Sequence, residues 1–346
     1  MIWCCPLCHG ALSETPTEVT CQDCGTAFPV VAEIPDFRCD QPAWVDFETD
    51  RLRAKEIDAH ILTHGLADAM RRVFLESRDL NEAKSEYRVK QVLAGIEKCD
   101  AQLDGWLHGL SYDTALEIGS GPGQLLAAGA RRGQSIHGLD VSLEWLVVAK
   151  HWVRSLGGDP KLAGGLAERL PLRSGSVDTV VGLDVLEHVG DQKACLAEIS
   201  RVLKKGGRFA LVTPNRFSLS PEPHVGVWGV GYLPVRFQAA WVGLFTTRSY
   251  AYTRLLSVGE IRRLVRQTLG ADPTIIFPPI ADEEIALFSP FKARLAWLYN
   301  KLVRHRIAQT VMPFIGAYYR VFGTKPGQVG APAASGVPTT PSGPST

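Results

Sequence analysis

Four of the eight cysteines form two Cys-x-x-Cys pairs, Cys5-Pro6-Leu7-Cys8 and Cys21-Gln22-Asp23-Cys24. At that spacing each pair grips one edge of a tetrahedral ion, and Gly25 permits the tight turn such a site needs. The expectation is a structural Zn2+ held by Cys5, Cys8, Cys21 and Cys24. Cys4 and His9 flank the first pair as substitute ligands. Cys39, Cys99 and Cys195 read as small buried hydrophobes. A disulfide framework is the weaker reading, because the first residues lack the basic start and apolar core of a secretory signal. A second constellation is Glu117-Ile118-Gly119-Ser120-Gly121-Pro122-Gly123. Glycines there let a backbone approach a ligand closely, and a following helix N-terminus adds donor amides. Asp140 lies 17 residues beyond Gly123, where a carboxylate can accept from both hydroxyls of a ribose. The third-glycine spacing of the dinucleotide fingerprint is missing, which weighs against a nicotinamide or flavin pyrophosphate. Asp184, Glu187 and His188, spaced i, i+3 and i+4, can share one face at a helix start.

These residues need elements to position them. Ala115–Ile118, Ser135–Asp140, Val177–Leu183 and Arg208–Val212 read as buried strands. Leu196, Ile199, Val202 and Leu203 recur at helical spacing, and Lys204-Lys205-Gly206-Gly207 reads as the helix stop. Strand–helix alternation predicts a parallel sheet covered on both faces. Ahead of it, residues 44–108 read as two or three helices. Residues 28–37 read as a strand closing the cysteine ribbon. After Pro214 comes an insertion rich in Gly, Pro and aromatics, with Trp228, Tyr232, Phe237, Trp241 and Phe245 read as an apolar lid or as the core of that lid. Ser257-Val258-Gly259-Glu260 is a capping box opening a helix. The expected organisation is a zinc-ribbon-like unit at 1–40, a helical extension at 41–110, a catalytic domain at 111–325 with its lid at about 214–256, and an uncharged tail at 326–346 too poor in apolar surface to order itself. Loss of zinc is expected to unfold the ribbon alone.

The segment 110–215 resembles the class I S-adenosylmethionine-dependent methyltransferases. Leu116–Gly123 looks like their first motif, and Gly138–Ser142 like their ribose-binding strand end. Ala167–Pro171 with Ser176–Asp178 resembles the adenine-side motif. Leu183–Val189 and Glu198–Asn215 resemble the regions of the fourth and fifth strands. The resemblance implies an α/β, Rossmann-like, seven-stranded sheet with helices on both faces, preceded here by the ribbon. It implies S-adenosyl-L-methionine as cofactor. Gly119, Gly121 and Gly123 would pass under its methionine part, Glu117 would support its amino group, Asp140 would take the ribose, and Asp184 would line the pocket. Leu166 stands where relatives often have an acid, so adenine recognition falls to the backbone near Ala167 or to Glu168. The segment also resembles quinone O-methyltransferases, for which a divalent cation at the Asp184, Glu187 and His188 positions has been proposed. The competing reading has Glu187 and His188 capping and packing the helix, and three side chains alone make a sparse cation site.

For a hydroxyl acceptor a general base helps, and His224 in Pro221-Glu222-Pro223-His224 is the catalytic candidate. The expected acceptor is a small molecule (a lipid, quinone, sugar or secondary metabolite) methylated on oxygen, with nitrogen as the alternative atom. The alternative is an rRNA or tRNA methyltransferase that uses the ribbon to recognise its substrate. A non-enzymatic interaction module is a third reading, opposed by the intact glycine loop and Asp140. Charge disfavours nucleic acid: residues 1–40 hold Arg38 as their only Lys or Arg against six acids. The net charge of +1 hides an asymmetry, since residues 213–346 carry 14 Lys and Arg against 6 Asp and Glu. No apolar run reaches the ~20 residues of a membrane-spanning helix, so the expected location is the cytoplasm. Phe291–Arg306 reads as a basic amphipathic helix with Leu295, Leu298, Tyr299 and Leu302 on one face. That face is expected to pack on the parent domain, and the sharper alternative is peripheral contact with an anionic membrane at its inner face.

Overall fold

The 346-residue chain is described by a computed structural model at residues 2–76, 80–105, 107–109, 114–280, 285 and 289–327, the side chains of 306–308 excepted. The first strands, β1 (Leu12–Glu14), β2 (Glu18–Cys21), β3 (Ala27–Val31) and β4 (Ile34–Pro35), pair antiparallel in sequence order. The strand expected over 28–37 is therefore two strands, folded back through Ala32 and Glu33, both at positive φ (48° and 66°). Three helices follow: α1 (Phe47–His64), α2 (Leu66–Glu76) and α3 (Glu82–Asp104). Asp46 caps α1 by accepting from Thr49 N, and Asn81 caps α3 by accepting from Lys84 N.

Seven further strands form one sheet: β5 (Ala115–Ile118), β6 (Ile136–Asp140), β7 (Lys161–Gly164), β8 (Val177–Leu183), β9 (Leu203–Pro214), β10 (Thr274–Ile276) and β11 (Tyr318–Thr324). Their order is β10-β11-β9-β8-β5-β6-β7, parallel except for β11, which runs antiparallel to both β9 and β10. All residues of β5 and β6 are buried, as strands covered on both faces must be. The chain leaves β5 towards β6 and β7, then returns to β8 on its other side. The carboxyl ends of β5 and β8 thus flank a topological switch point, where ligands of open α/β sheets bind. Helices α4 (Gln124–Arg131), α5 (Leu143–Ser155) and α6 (Gln192–Val202) complete the crossovers.

Two expectations change. Lys204–Gly207 does not stop a helix. α6 ends at Val202, Leu203 already pairs with Val177, and a register shift before Thr179↔Arg208 accommodates Gly206 at φ +77°. The two glycines thus serve a strand irregularity that local periodicity mimics as a helix end. Nor is the ribbon's core its own: Trp3, Val19, Phe28 and Phe37 lie in one buried cluster with Leu116, Ile118 and Leu139. Cys4 N donates to Pro171 O, and Phe37 N donates to Gly164 O at the free edge of β7. Arg38, with no exposed side-chain area, pairs with Asp36 and Asp50 and donates to Val141 O. Asp50 in turn accepts from Leu143 N.

Beyond β9 the insertion has a small core of Val227, Val230, Val242 and Tyr250, and contains helix α7 (Val235–Gly243). The five aromatics expected there are exposed rather than forming that core. Helix α8 (Val258–Leu269) opens with the expected capping box of Ser257 and Glu260. Helix α9 (Pro290–Val303) corrects another expectation: it buries Ala296, Asn300 and Val303, while Leu295, Leu298 and Leu302 are exposed. Helix α10 (Arg306–Val311) leads to β11. Residues 328–346, most of the expected tail, lie outside the described residues.

Candidate cofactor and acceptor site

The glycine loop leaves β5 beside the turn that follows β8. A Cβ on Gly119 would stand 2.6 Å from Val185 Cγ2, and its φ of +65° already favours glycine. Gly123, at φ +85°, ends the loop as the N-cap of α4, and a Cβ there would meet Ala149 Cβ at 2.6 Å. Gly121 N donates to Asp140 Oδ2 at 2.7 Å, and Asp140 Oδ1 accepts from Ser142 N at 2.8 Å. The expected ribose acid is thus held by two amides at the mouth of the loop.

Glu117 is 3% exposed, and its Oε2 has no hydrogen-bond partner, nor has the buried Ser120 Oγ. Burial, then the neighbouring Asp140 charge, pushes the Glu117 carboxyl well above its usual range. An orphaned buried acid close to a second acid suits a cationic ligand, and S-adenosylmethionine carries both an ammonium and a sulfonium. The residues present fit that group. Ala167 is buried. Glu168 Oε1 accepts from Gly190 N at 2.7 Å, so its carboxylate steadies the entry to α6.

Asp184 follows β8 at φ +54°, a conformation rare for a side chain with a Cβ, and its N donates to Val212 O. Glu187 is 1% exposed. Thr213 Oγ1 donates to its Oε2 at 3.1 Å, whereas its Oε1 has no partner. Burial first and Asp184 second push the Glu187 carboxyl up to about 8. His224 arrives from the insertion and stands edge-on to His188, with ring centroids 4.6 Å apart. Its Nδ1 faces Glu222 Oε1 at 2.6 Å, and Glu222 Oε2 accepts from the amides of His224 and Val225. Burial opposes the His224 charge, but Glu222, then Glu187 and Asp184, outweigh it and raise its pKa above the usual value.

Ligand atoms of Glu187, His188 and His224 lie within 4.8 Å of one another. The grouping differs from the expected Asp184, Glu187 and His188 set, with His224 in place of Asp184. Sequence reasoning missed Glu222. Its only signal was its place two residues before His224 in a proline-flanked turn. A cavity of about 380 Å3 opens beside His188 and Gly190, walled by Val235, Gln238 and Tyr250 of the insertion and by Arg254.

At the N-terminus the four expected cysteines converge. Cys5 and Cys24 sulfurs are 3.7 Å apart, Cys8 and Cys21 sulfurs 3.4 Å, and all four lie within 4.8 Å. A tetrahedral ion with Zn–S bonds of ~2.3 Å places sulfurs ~3.8 Å apart, so the cluster fits zinc. Cys4 lies outside this cluster, fully buried, with burial pushing its thiol up to about 11.

A methyltransferase-domain family matches residues 116–211. A Mycolicibacterium smegmatis protein named as an S-adenosylmethionine-dependent methyltransferase is 52% identical over 58 residues, 17% of this chain and 22% of that one. The ubiquinone biosynthesis O-methyltransferase of Idiomarina loihiensis is 30% identical over 206 residues, 58% of this chain and 77% of the relative. The chain thus spans about a fifth of the first relative and about three quarters of the second. Among solved structures, an S-adenosylmethionine-dependent methyltransferase from Mesorhizobium loti is 18% identical, with TM-score 0.45, covering 65% of this chain and 96% of that one.

Proposed function

The chain belongs to the class I S-adenosylmethionine-dependent methyltransferases, and we propose that it methylates a hydroxyl group of a small, largely apolar acceptor. The observation that carries this reading is the Glu222–His224 pair, set against Glu187 and His188 beside a cavity walled by the insertion. Bound S-adenosylmethionine supplies a methyl group on a sulfonium leaving group. The chain's own work is to align, desolvate and deprotonate the acceptor. Glu222 grips Nδ1 of His224, which fixes the ring and leaves Nε2 to take the hydroxyl proton as oxygen attacks the methyl carbon. Glu187, protonated near neutrality, can donate to an acceptor oxygen. The insertion walls one side of the cavity. The O-methyltransferase relative at 30% identity supports oxygen as the atom methylated.

A panel of phenols and catechols with S-adenosylmethionine, read by mass spectrometry, tests this. Wild type should form methyl ethers. His224→Ala should lose roughly 100-fold or more in rate with its cofactor affinity kept. Because His224 must shed its proton to act and its pKa is raised, the rate should climb with pH through an inflection above 6.5, the ordinary histidine value, and Glu222→Gln should move that inflection down. Full activity of His224→Ala would remove the base. Glu187, His188 and His224 lie close enough to hold a cation instead, a second reading that predicts loss of activity on chelation and its return with a divalent metal.

A further inference from the structure

Helix α9 is seated through Ala296, Asn300 and Val303, at i, i+4 and i+7. Asn300 locks the seat: its Oδ1 accepts from Ile280 N and its Nδ2 donates to Ile280 O, both at 2.7 Å. Tyr299 Oη donates to Pro278 O on the same side. Phe291, Leu295, Leu298 and Leu302 also follow helical spacing, at i, i+4, i+7 and i+11, and so form a second stripe. That stripe points away from the body, its members 73%, 51%, 48% and 45% exposed. An ordinary surface helix does the reverse, turning its apolar stripe inward. Lys292, Arg294 and Lys301 on the same helix and Arg304 just past its end are exposed, and residues 289–327 contain no Asp or Glu. Lys301 Nζ lies 3.8 Å over the ring of Trp297, which is 55% exposed.

Further apolar side chains are exposed outside the helix. Phe314, 63% exposed, accepts through its carbonyl from Tyr232 Oη of the insertion. The insertion itself exposes Phe237, Leu244 and Phe245, with Arg236 stacked 4.7 Å over the Phe237 ring. An uncovered apolar stripe flanked by cations alone selects its occupant. A second copy related by two-fold symmetry would set this patch against itself, cation facing cation with no acid on the helix to answer. A bilayer rich in anionic lipid meets both requirements, since acyl chains take the stripe and headgroups take the charges. No described helix is long and apolar enough to cross a membrane, so the contact lies in the interface plane.

We infer that α9 docks the protein on an anionic lipid surface, with Phe291, Leu295, Leu298 and Leu302 at the acyl boundary and Lys292, Arg294, Lys301 and Arg304 among the headgroups. This contact is independent of which acceptor is methylated.

The full chain should co-sediment with phosphatidylcholine vesicles containing phosphatidylglycerol, hardly at all with pure phosphatidylcholine, and less as salt rises. Leu298→Glu and Lys301→Glu should each weaken binding roughly tenfold with unchanged circular dichroism melting, since both side chains are exposed. Leu62→Glu, at an exposed leucine of α1, should leave binding intact. Three results would overturn the inference. These are no sedimentation with anionic vesicles at low salt, sedimentation indifferent to salt and to Leu298→Glu, or a dimer in analytical ultracentrifugation that Leu298→Glu dissolves while vesicles capture nothing.

Discussion

Asp140 holds the glycine loop in place, and its proposed role is to take the ribose. Its two carboxylate oxygens accept from Gly121 and Ser142 amides, so a charged acceptor anchors the backbone that a ligand must meet. Asp140→Ala should weaken S-adenosylmethionine binding by ~1.5–3 kcal/mol, the usual loss for hydrogen bonds to a charged group. Calorimetry on the folded variant checks it, and unchanged affinity would take Asp140 out of the ribose role. Glu117, Gly119 and Asp140 could be read from the sequence because their constraint is local: a strand, a turn only glycine fits, and an acid at the next strand end. Glu222 could not, since nothing in a Pro-Glu-Pro-His turn says that the acid folds back on the histidine. Nor could the positive φ of Asp184 be read, because it is imposed by β8 and β9 pairing beside it.

At the scale of elements, the ribbon and the sheet share a core and an ion-pair network. Trp3, Val19, Phe28 and Phe37 pack with residues of β5 and β6. Arg38 ties Asp36 of the ribbon exit to Asp50 of α1 and to Val141, one residue past Asp140. Breaking such a buried pair leaves an uncompensated charge, worth ~3–5 kcal/mol. This joint changes what zinc loss should do. We expect one zinc per chain by metal analysis, lost in Cys21→Ser, and a lower melting temperature for the whole chain together with weaker cofactor binding. Full zinc in Cys21→Ser would refute the ligand set. A catalytic domain that melts unchanged without zinc would show that the shared core carries little. The convergence of the four cysteines was legible because two Cys-x-x-Cys pairs at that spacing have few other uses. The docking of the ribbon on the β7 edge was not, because an edge strand's partner leaves no periodic trace. β11 escaped for a related reason: its strand character lay inside a basic stretch read for its charge.

For the molecule as a whole, the charge asymmetry was readable but its geometry was not. Of the cations between 289 and 325 whose side chains are described, Lys325 donates to Ser200 and Leu203 carbonyls and Arg320 is half-buried, whereas Lys292, Arg294, Lys301 and Arg304 are exposed. At the other end, the single cation of residues 1–40, Arg38, is spent on Asp36 and Asp50. The ribbon therefore offers no positive charge to a phosphate backbone, a physical reason to favour a small acceptor over RNA. The most direct test supplies deuteromethyl S-adenosylmethionine to a cell extract with the purified protein, then separates small molecules, RNA and protein before mass spectrometry. The predicted result is label on oxygen in the organic-extractable small-molecule fraction, absent with His224→Ala although that variant still binds the cofactor. Label confined to RNA or protein, or none from a wild-type protein that binds S-adenosylmethionine, would contradict it.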